Sequence, residues 1–259
     1  KHLYISALFD PSEILAFPDN KHTPIFVVIT RWRPTKIFVT ELLNEIQTRN
    51  VVDTYFSAET GETLKDGLFI DLPSFSSFHL LKIFEQIDRL SPHYSEYSKA
   101  KLGELSLRIT QGKKGKVFQD GTNSIYIRRV GNSPVCYKVS DIKIEHQNIY
   151  QVELKESVNN KYIASFFKST LGKLILESAT TQGIIPHINK EELKIALVYL
   201  PPPEEQLAIV NTQDLLFRLQ TEIEEFDNEL AMNPENASSI VGQLMKMYQA
   251  IRELTDSDL

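Results

Sequence analysis

Apolar and polar residues first organise themselves around residue 30. Pro24-Ile25-Phe26-Val27-Val28-Ile29-Thr30 is a short, β-branched apolar run that stops at Arg31-Trp32-Arg33-Pro34, and Thr35 to Thr40 follows as a second run. Two such runs around a polar, proline-containing loop predict a hairpin at the edge or end of a larger sheet. Glu41 to Asn50 reads as a helix with Leu42, Leu43 and Ile46 on one face. Residues 57–67 are turn-rich, and Phe78 to Leu90 reads as another helix. One hairpin and two short helices bury little, so residues 1–95 are expected to complete a domain whose main part lies elsewhere.

The polar stretch 91–98 marks a boundary. Beyond it, Ser124 to Val130, Pro134 to Val139, Ile142 to Glu145 and Ile149 to Leu154 read as strands. Lys161 to Lys168 and Leu171 to Ser178 read as helices. Asn189-Lys190-Glu191-Glu192 has the form of a capped helix start, with Asn189 as N-cap and Glu192 closing a reciprocal pair. Ile195 to Leu200 returns as a strand. The block 96–200 is therefore expected to be α+β, strand-rich first and helical later.

Pro201-Pro202-Pro203 ends that block and opens a helix, because proline is tolerated in a first turn and Glu204 and Glu205 complement its positive end. Ile209, Leu216, Leu219, Ile223, Phe226 and Leu230 fall at spacings of 7, 3, 4, 3 and 4. Asn233-Pro234 breaks the helix. In a second one, Ile240, Leu244, Met247, Ile251 and Leu254 are spaced 4, 3, 4 and 3. Both seams are heptad-like, so residues 201–259 are expected to form a helical pair that packs on itself as an antiparallel hairpin or docks onto outside helices.

Composition narrows the chemistry. Among 259 residues, 42% are apolar, and no run approaches the ~18 apolar residues of a membrane span. The start, Lys1-His2-Leu3-Tyr4, is neither an initiator Met nor a signal peptide, which is the look of a fragment of something longer. One cysteine excludes a disulfide framework and points to the cytoplasm. The six histidines have no metal-ligand spacing, and the ten glycines form no phosphate-cradling motif. Cys136 sits in an apolar run and reads as a small buried residue rather than a nucleophile.

Charge changes the picture more. The whole chain carries −6, but residues 96–200 hold 16 Lys and Arg against 10 Asp and Glu, while the chain after residue 200 holds 3 against 12. A basic centre permits a polyanion partner. Within it, Gly112-Lys113-Lys114-Gly115-Lys116 is a flexible basic loop suited to phosphate contacts, or else a solvated turn. Arg128-Arg129 lies in a predicted strand, which would point the two side chains to opposite faces. Thr181-Gln182-Gly183, with His187 close behind, offers hydroxyl, amide and close backbone approach for phosphates or base edges. Taken alone, it reads better as a helix C-terminus with Gly183 as the left-handed cap.

The order of the pieces carries a resemblance. Leu102-Gly103-Glu104-Leu105 leads into the glycine-rich loop. Tyr162-Ile163-Ala164-Ser165-Phe166-Phe167-Lys168-Ser169 and Gly172 follow, then Thr181-Gln182-Gly183 with Ile185 and Ile188, and then Leu193-Lys194-Ile195. Leu200-Pro201-Pro202-Pro203-Glu204-Glu205-Gln206 closes the series and runs into the long helix. Over roughly residues 101–230 this resembles the target recognition domain of type I restriction–modification specificity subunits, the closure at Gln206 being its most specific part. Ser6 to Leu42, with Ile14-Leu15-Ala16-Phe17-Pro18 before the two apolar runs, looks like the tail of an N6-adenine DNA methyltransferase domain. The family's Asn/Asp-Pro-Pro-aromatic motif and methyl-donor loop are absent from these residues.

The resemblance implies double-stranded DNA as a partner. It also implies a methyltransferase domain or subunit against the helical tail, and possible association with a restriction subunit. S-adenosylmethionine would serve the whole protein and no cofactor this chain. Lys113, Lys114, Lys116, Arg128, Arg129, Thr181, Gln182, Gly183 and His187 are then the candidate DNA contacts. The alternative is a stand-alone, non-enzymatic DNA-binding module whose helical tail makes a dimer.

Overall fold

The computed structural model describes residues 3–12, 25–71, 75–131, 135–181, 185–232 and 237–256. The Ile14-to-Pro18 stretch, Gln182, Gly183 and the Asn233-Pro234 break lie outside them, as do the side chains of Leu230, Ile240 and Leu254. The chain divides into two compact units, Lys1–Pro92 and His93–Leu259. Among the described residues no helix is long and apolar enough to cross a membrane.

The first unit is a four-stranded mixed sheet of β1 (Tyr4–Asp10), β2 (Phe26–Thr30), β3 (Ile37–Glu41) and β4 (Leu68–Ile70), in the order β2-β1-β3-β4. The expected hairpin of the two apolar runs does not form. β1 lies between them, antiparallel to β2 (Leu8 opposite Val27) and parallel to β3 (Leu8 opposite Val39). The reason is burial. Ser6 to Asp10 and all five residues of β3 are buried, so these two strands take the covered centre, while β2, exposed at Phe26, Val27 and Ile29, takes the edge.

Side chains alternate across the sheet as the strand period requires. Ala7, Phe9 and Phe38 meet Val51 and Tyr55 of α1 (Glu45–Ser57) on one face. Leu8, Ile37 and Val39 meet Phe78 and Leu81 of α2 (Phe78–Leu90) on the other. The block thus closes two small apolar clusters, because β1 adds a strand to the two apolar runs. Helix α1 also begins later than expected. Asn44 caps it by accepting the Gln47 amide at 2.9 Å, so Leu42 and Leu43 precede the helix and Ile46 is exposed.

The second unit begins by closing on itself. β5 (Ser98–Lys101) pairs antiparallel with β9 (Leu197–Leu200), which puts Ser98 opposite Leu200. Between them come α3 (Leu102–Leu105), β6 (Ser106–Gln111), β7 (Ser124–Arg128), β8 (Ile149–Leu154), α4 (Asn160–Phe166), α5 (Thr170–Ser178) and α6 (Lys190–Ile195). β6, β8 and β7 form an antiparallel three-stranded sheet in that order. The strand expected at 134–139, described from residue 135, and the one expected at 142–145 do not form. Cys136 makes one isolated bridge to Tyr126, a 3-10 turn at Val139–Asp141 ends the run, and Ile142 and Ile144 contribute only side chains to the cluster around Tyr126. Asn189 caps α6 by accepting the Glu191 amide at 2.9 Å, and Ile195 ends that helix rather than opening β9.

Two long helices complete the unit, α7 (Pro203–Met232) and α8 (Ala237–Asp256). Early α7 packs on α4, with Val210 buried and Lys161 Nζ 3.3 Å from Asp214. Ile223, in the last third of α7, is buried against Leu244 in the first half of α8, with Phe226, Met247 and Ile251 around them. That is the packing of a helical hairpin. Ile209, Leu216 and Leu219 are half-buried, whereas Leu207, Leu215, Phe217, Met245 and Tyr248 are exposed.

Candidate nucleic-acid interface

β6 and β7 both run antiparallel to β8, so both end beside its first residues: Gln111 lies opposite Tyr150 and Arg128 opposite Ile149. The loop after β6, the segment after β7 and the turn before β8 therefore leave the sheet at one end.

The lysine loop is fastened at both feet. Gly112 donates its amide to the Ile149 carbonyl at 2.9 Å. It also lies so close to the His146 carbonyl that a Cβ there would sit 1.8 Å from the oxygen, so only glycine fits. At the far foot Phe118 donates its amide to His146 Nδ1 at 2.9 Å, and the two rings lie 5.6 Å apart. Between the feet the Lys116 amide reaches the Lys113 carbonyl at 3.1 Å, and Gly115 takes a φ of 71°. Lys113, Lys114 and Lys116 all stand exposed on this turn.

β7 ends at Arg128, so strand alternation applies only to the first of the two arginines. Arg129 lies just beyond and is held by its backbone: its amide donates to the Asn148 carbonyl at 2.6 Å and its carbonyl accepts from Ile188 at 2.8 Å. Both side chains are half-buried. Through Arg129 and the Val130–His187 bridge, the segment around His187 is drawn to the same end of the sheet.

There Thr181 and His187 form a clasp. The Thr181 amide donates to the His187 carbonyl at 2.8 Å, the His187 amide to the Thr181 hydroxyl at 3.2 Å, and that hydroxyl lies 3.0 Å from His187 Nδ1. Thr181 and His187, both expected as DNA contacts, thus direct these polar atoms at each other across the segment that holds Gln182 and Gly183, which lie outside the described residues. Below, the Tyr150 hydroxyl donates to the Ile188 carbonyl at 3.2 Å.

The structure thus brings together the lysine loop, Arg128, Arg129 and the Thr181–His187 clasp. His146 stands in the sequence only as one of six histidines without metal-ligand spacing. Its only signal was a histidine just ahead of a strand, next to a glycine-rich loop distant in the chain. Cys136 is buried, and burial with the nearby Asp141 carboxylate pushes its thiol up to about 11, which removes the thiolate a nucleophile needs. Among the described residues no three His, Cys, Asp or Glu side chains converge as metal ligands.

The family model described as the type I restriction modification DNA specificity domain matches residues 92–231. No curated protein matches the chain. Among solved structures, the S subunit of a type I restriction-modification system from M. genitalium aligns at 16% identity and a TM-score of 0.38, covering 60% of this chain. The chain covers 47% of that subunit's length. The matched residues run from just before β5 to the end of α7 and so contain the whole convergent sheet end. By that match, over more than half of its length, the chain belongs to the type I restriction modification DNA specificity domain family.

Proposed function

We propose that the chain reads a specific DNA sequence with the end of the three-stranded sheet. In this reading Lys113, Lys114 and Lys116 meet phosphates, where charge matters more than geometry. Arg128, Arg129 and Gln182 meet base edges. Thr181 and His187, bonded to each other, flank Gln182 in the chain. The observation that carries the reading is the convergence of these segments, far apart in sequence, at one sheet end within the family's domain. The test is selection of bound duplexes from a randomised library by the full chain. One enriched sequence is expected, with discrimination lost in Gln182→Ala; enrichment of nothing would overturn the reading.

We further propose that the first unit belongs to an adenine-N6 methyltransferase, with α7 and α8 docking on its helices. A restriction subunit can then join the same assembly. The edge strand β2, apolar on both faces at Phe26, Val27 and Ile29, supports this, since such an edge suits a sheet continued by another strand. A cleft of the first unit, about 420 Å³, is lined by charged side chains including Lys65, Lys82, Glu85 and Arg89, with no aromatic among the lining residues to stack on adenine, which supports an S-adenosylmethionine site elsewhere in the whole protein. Detection of N6-methyladenine at the selected sequence, in cells carrying the full methyltransferase with this chain, tests the assignment.

A further inference from the structure

We infer that His146 is the positioning residue of the lysine loop, an inference that rests on the DNA interface proposed above. Both feet of the loop stand on this one residue. Its backbone carbonyl is packed against Gly112, and its Nδ1 accepts the Phe118 amide at 2.9 Å. An imidazole that accepts at Nδ1 carries its proton on Nε2. Phe118 in turn is anchored in the core, packed against the cluster of Tyr126, Cys136 and Ile149. His146 itself is fixed by the turn ahead of β8, where the Asn148 amide closes on the Glu145 carbonyl at 2.9 Å.

Holding both feet lowers the cost of ordering the loop. Residues 113–117 make a turn closed by one internal hydrogen bond, with no neighbour within 4 Å of where a Gly115 Cβ would lie. A loop of this kind, free at one foot, must be ordered each time its lysines engage phosphate, whereas a loop held at both feet is ordered beforehand. His146 therefore acts on DNA affinity through the lysines without touching DNA.

The test uses the full chain, a fluorescent mixed-sequence duplex titrated across salt concentrations, and hydrogen exchange of the segment 113–118. His146→Leu keeps bulk and removes the acceptor; His146→Asn keeps an acceptor oxygen near the position of Nδ1. Exchange is expected to quicken and affinity to fall roughly tenfold in His146→Leu, with the salt slope kept because the lysines remain, and His146→Asn is expected to restore both. Gly112→Ala disturbs the other foot and should weaken binding in the same way, which keeps the test open if His146→Leu fails to fold. If alanines at Lys113, Lys114 and Lys116 leave affinity unchanged, the interface falls and the inference with it. If those alanines weaken binding while His146→Leu binds as wild type, or His146→Asn behaves as His146→Leu, the inference alone is overturned.

Discussion

The Tyr97 hydroxyl donates a hydrogen bond to the carboxylate of Glu205, fastening the residues ahead of β5 to the first turn of α7. Around it Tyr94 packs on Tyr199, and the Tyr162 hydroxyl donates to the Tyr199 carbonyl at 2.5 Å. The block from β5 to β9 and the long helix are therefore joined by a polar bond set in aromatic packing.

That bond makes stability pH-dependent at the alkaline end. The Glu205 hydrogen bond, then burial, push the Tyr97 phenol up to about 12. The native state holds this proton above the ordinary tyrosine value of about 10. The contribution is thus full below about pH 10 and lost as pH rises through about 12. Tyr97→Phe should cost about 0.5–1 kcal/mol at neutral pH, the bond being partly solvated, and should remove that part of the alkaline loss. Urea unfolding between neutral pH and pH 12, compared for the two chains, checks it.

In the first unit Lys82 bridges the buried carboxylates of Asp10, at 3.5 Å, and Glu41, side by side at the ends of β1 and β3. Burial lowers the affinity of Lys82 for its proton, but the bond and charge of Glu41, with the charge of Asp10, outweigh it and raise its pKa. The stabilisation is complete below the ordinary lysine value and is lost only as pH rises through the raised one. Lys82→Met should destabilise the first unit by about 2–3 kcal/mol by leaving both carboxylates buried without their cation. Hydrogen exchange in β3 measures it, and Glu41→Gln added to Lys82→Met should recover part of the loss.

Much of the fold was legible where the determinant is local. Helix α2, helix α5 and strand β8 follow their own periodicity, and Asn189 announces its cap. β5 and β6 were not legible, because Ser98-Lys99-Ala100-Lys101 is a strand only by pairing with Leu197–Leu200, about a hundred residues away. β1 escaped because a strand buried on both faces shows no alternation. At the site, the lysines were visible as charge. The clasp of Thr181 on His187 and the hold of His146 were not, since each exists only through residues brought together by the sheet.

Under the proposed DNA reading, changing the clasp should alter specificity more than affinity. Thr181→Val removes the hydroxyl that meets both the His187 amide and Nδ1. It should flatten discrimination between the selected sequence and variants of it by about 1–3 kcal/mol, while binding of mixed-sequence duplex changes little. Competition titrations with the two duplexes decide it.

The helical pair offers a contrast between its two faces. Ile223→Asp should unpack α7 from α8, because Ile223 and Leu244 are the buried centre of their contact and a pair of about three heptads is marginal alone. Circular dichroism should show lost helicity. Phe217→Asp with Met245→Asp, both exposed, should leave helicity intact and weaken only docking of a methyltransferase partner, read by sedimentation of the mixture.

The most direct measurement is the affinity of the full chain for duplex DNA as a function of salt, with and without the three lysines of the loop. Log affinity should fall linearly with log salt. Alanine at Lys113, Lys114 and Lys116 should flatten that slope by roughly 0.9 for each phosphate that is no longer neutralised, and should leave the ranking of sequences unchanged. An unchanged slope in the triple variant, or a changed ranking, would contradict a phosphate-binding loop at the end of this sheet.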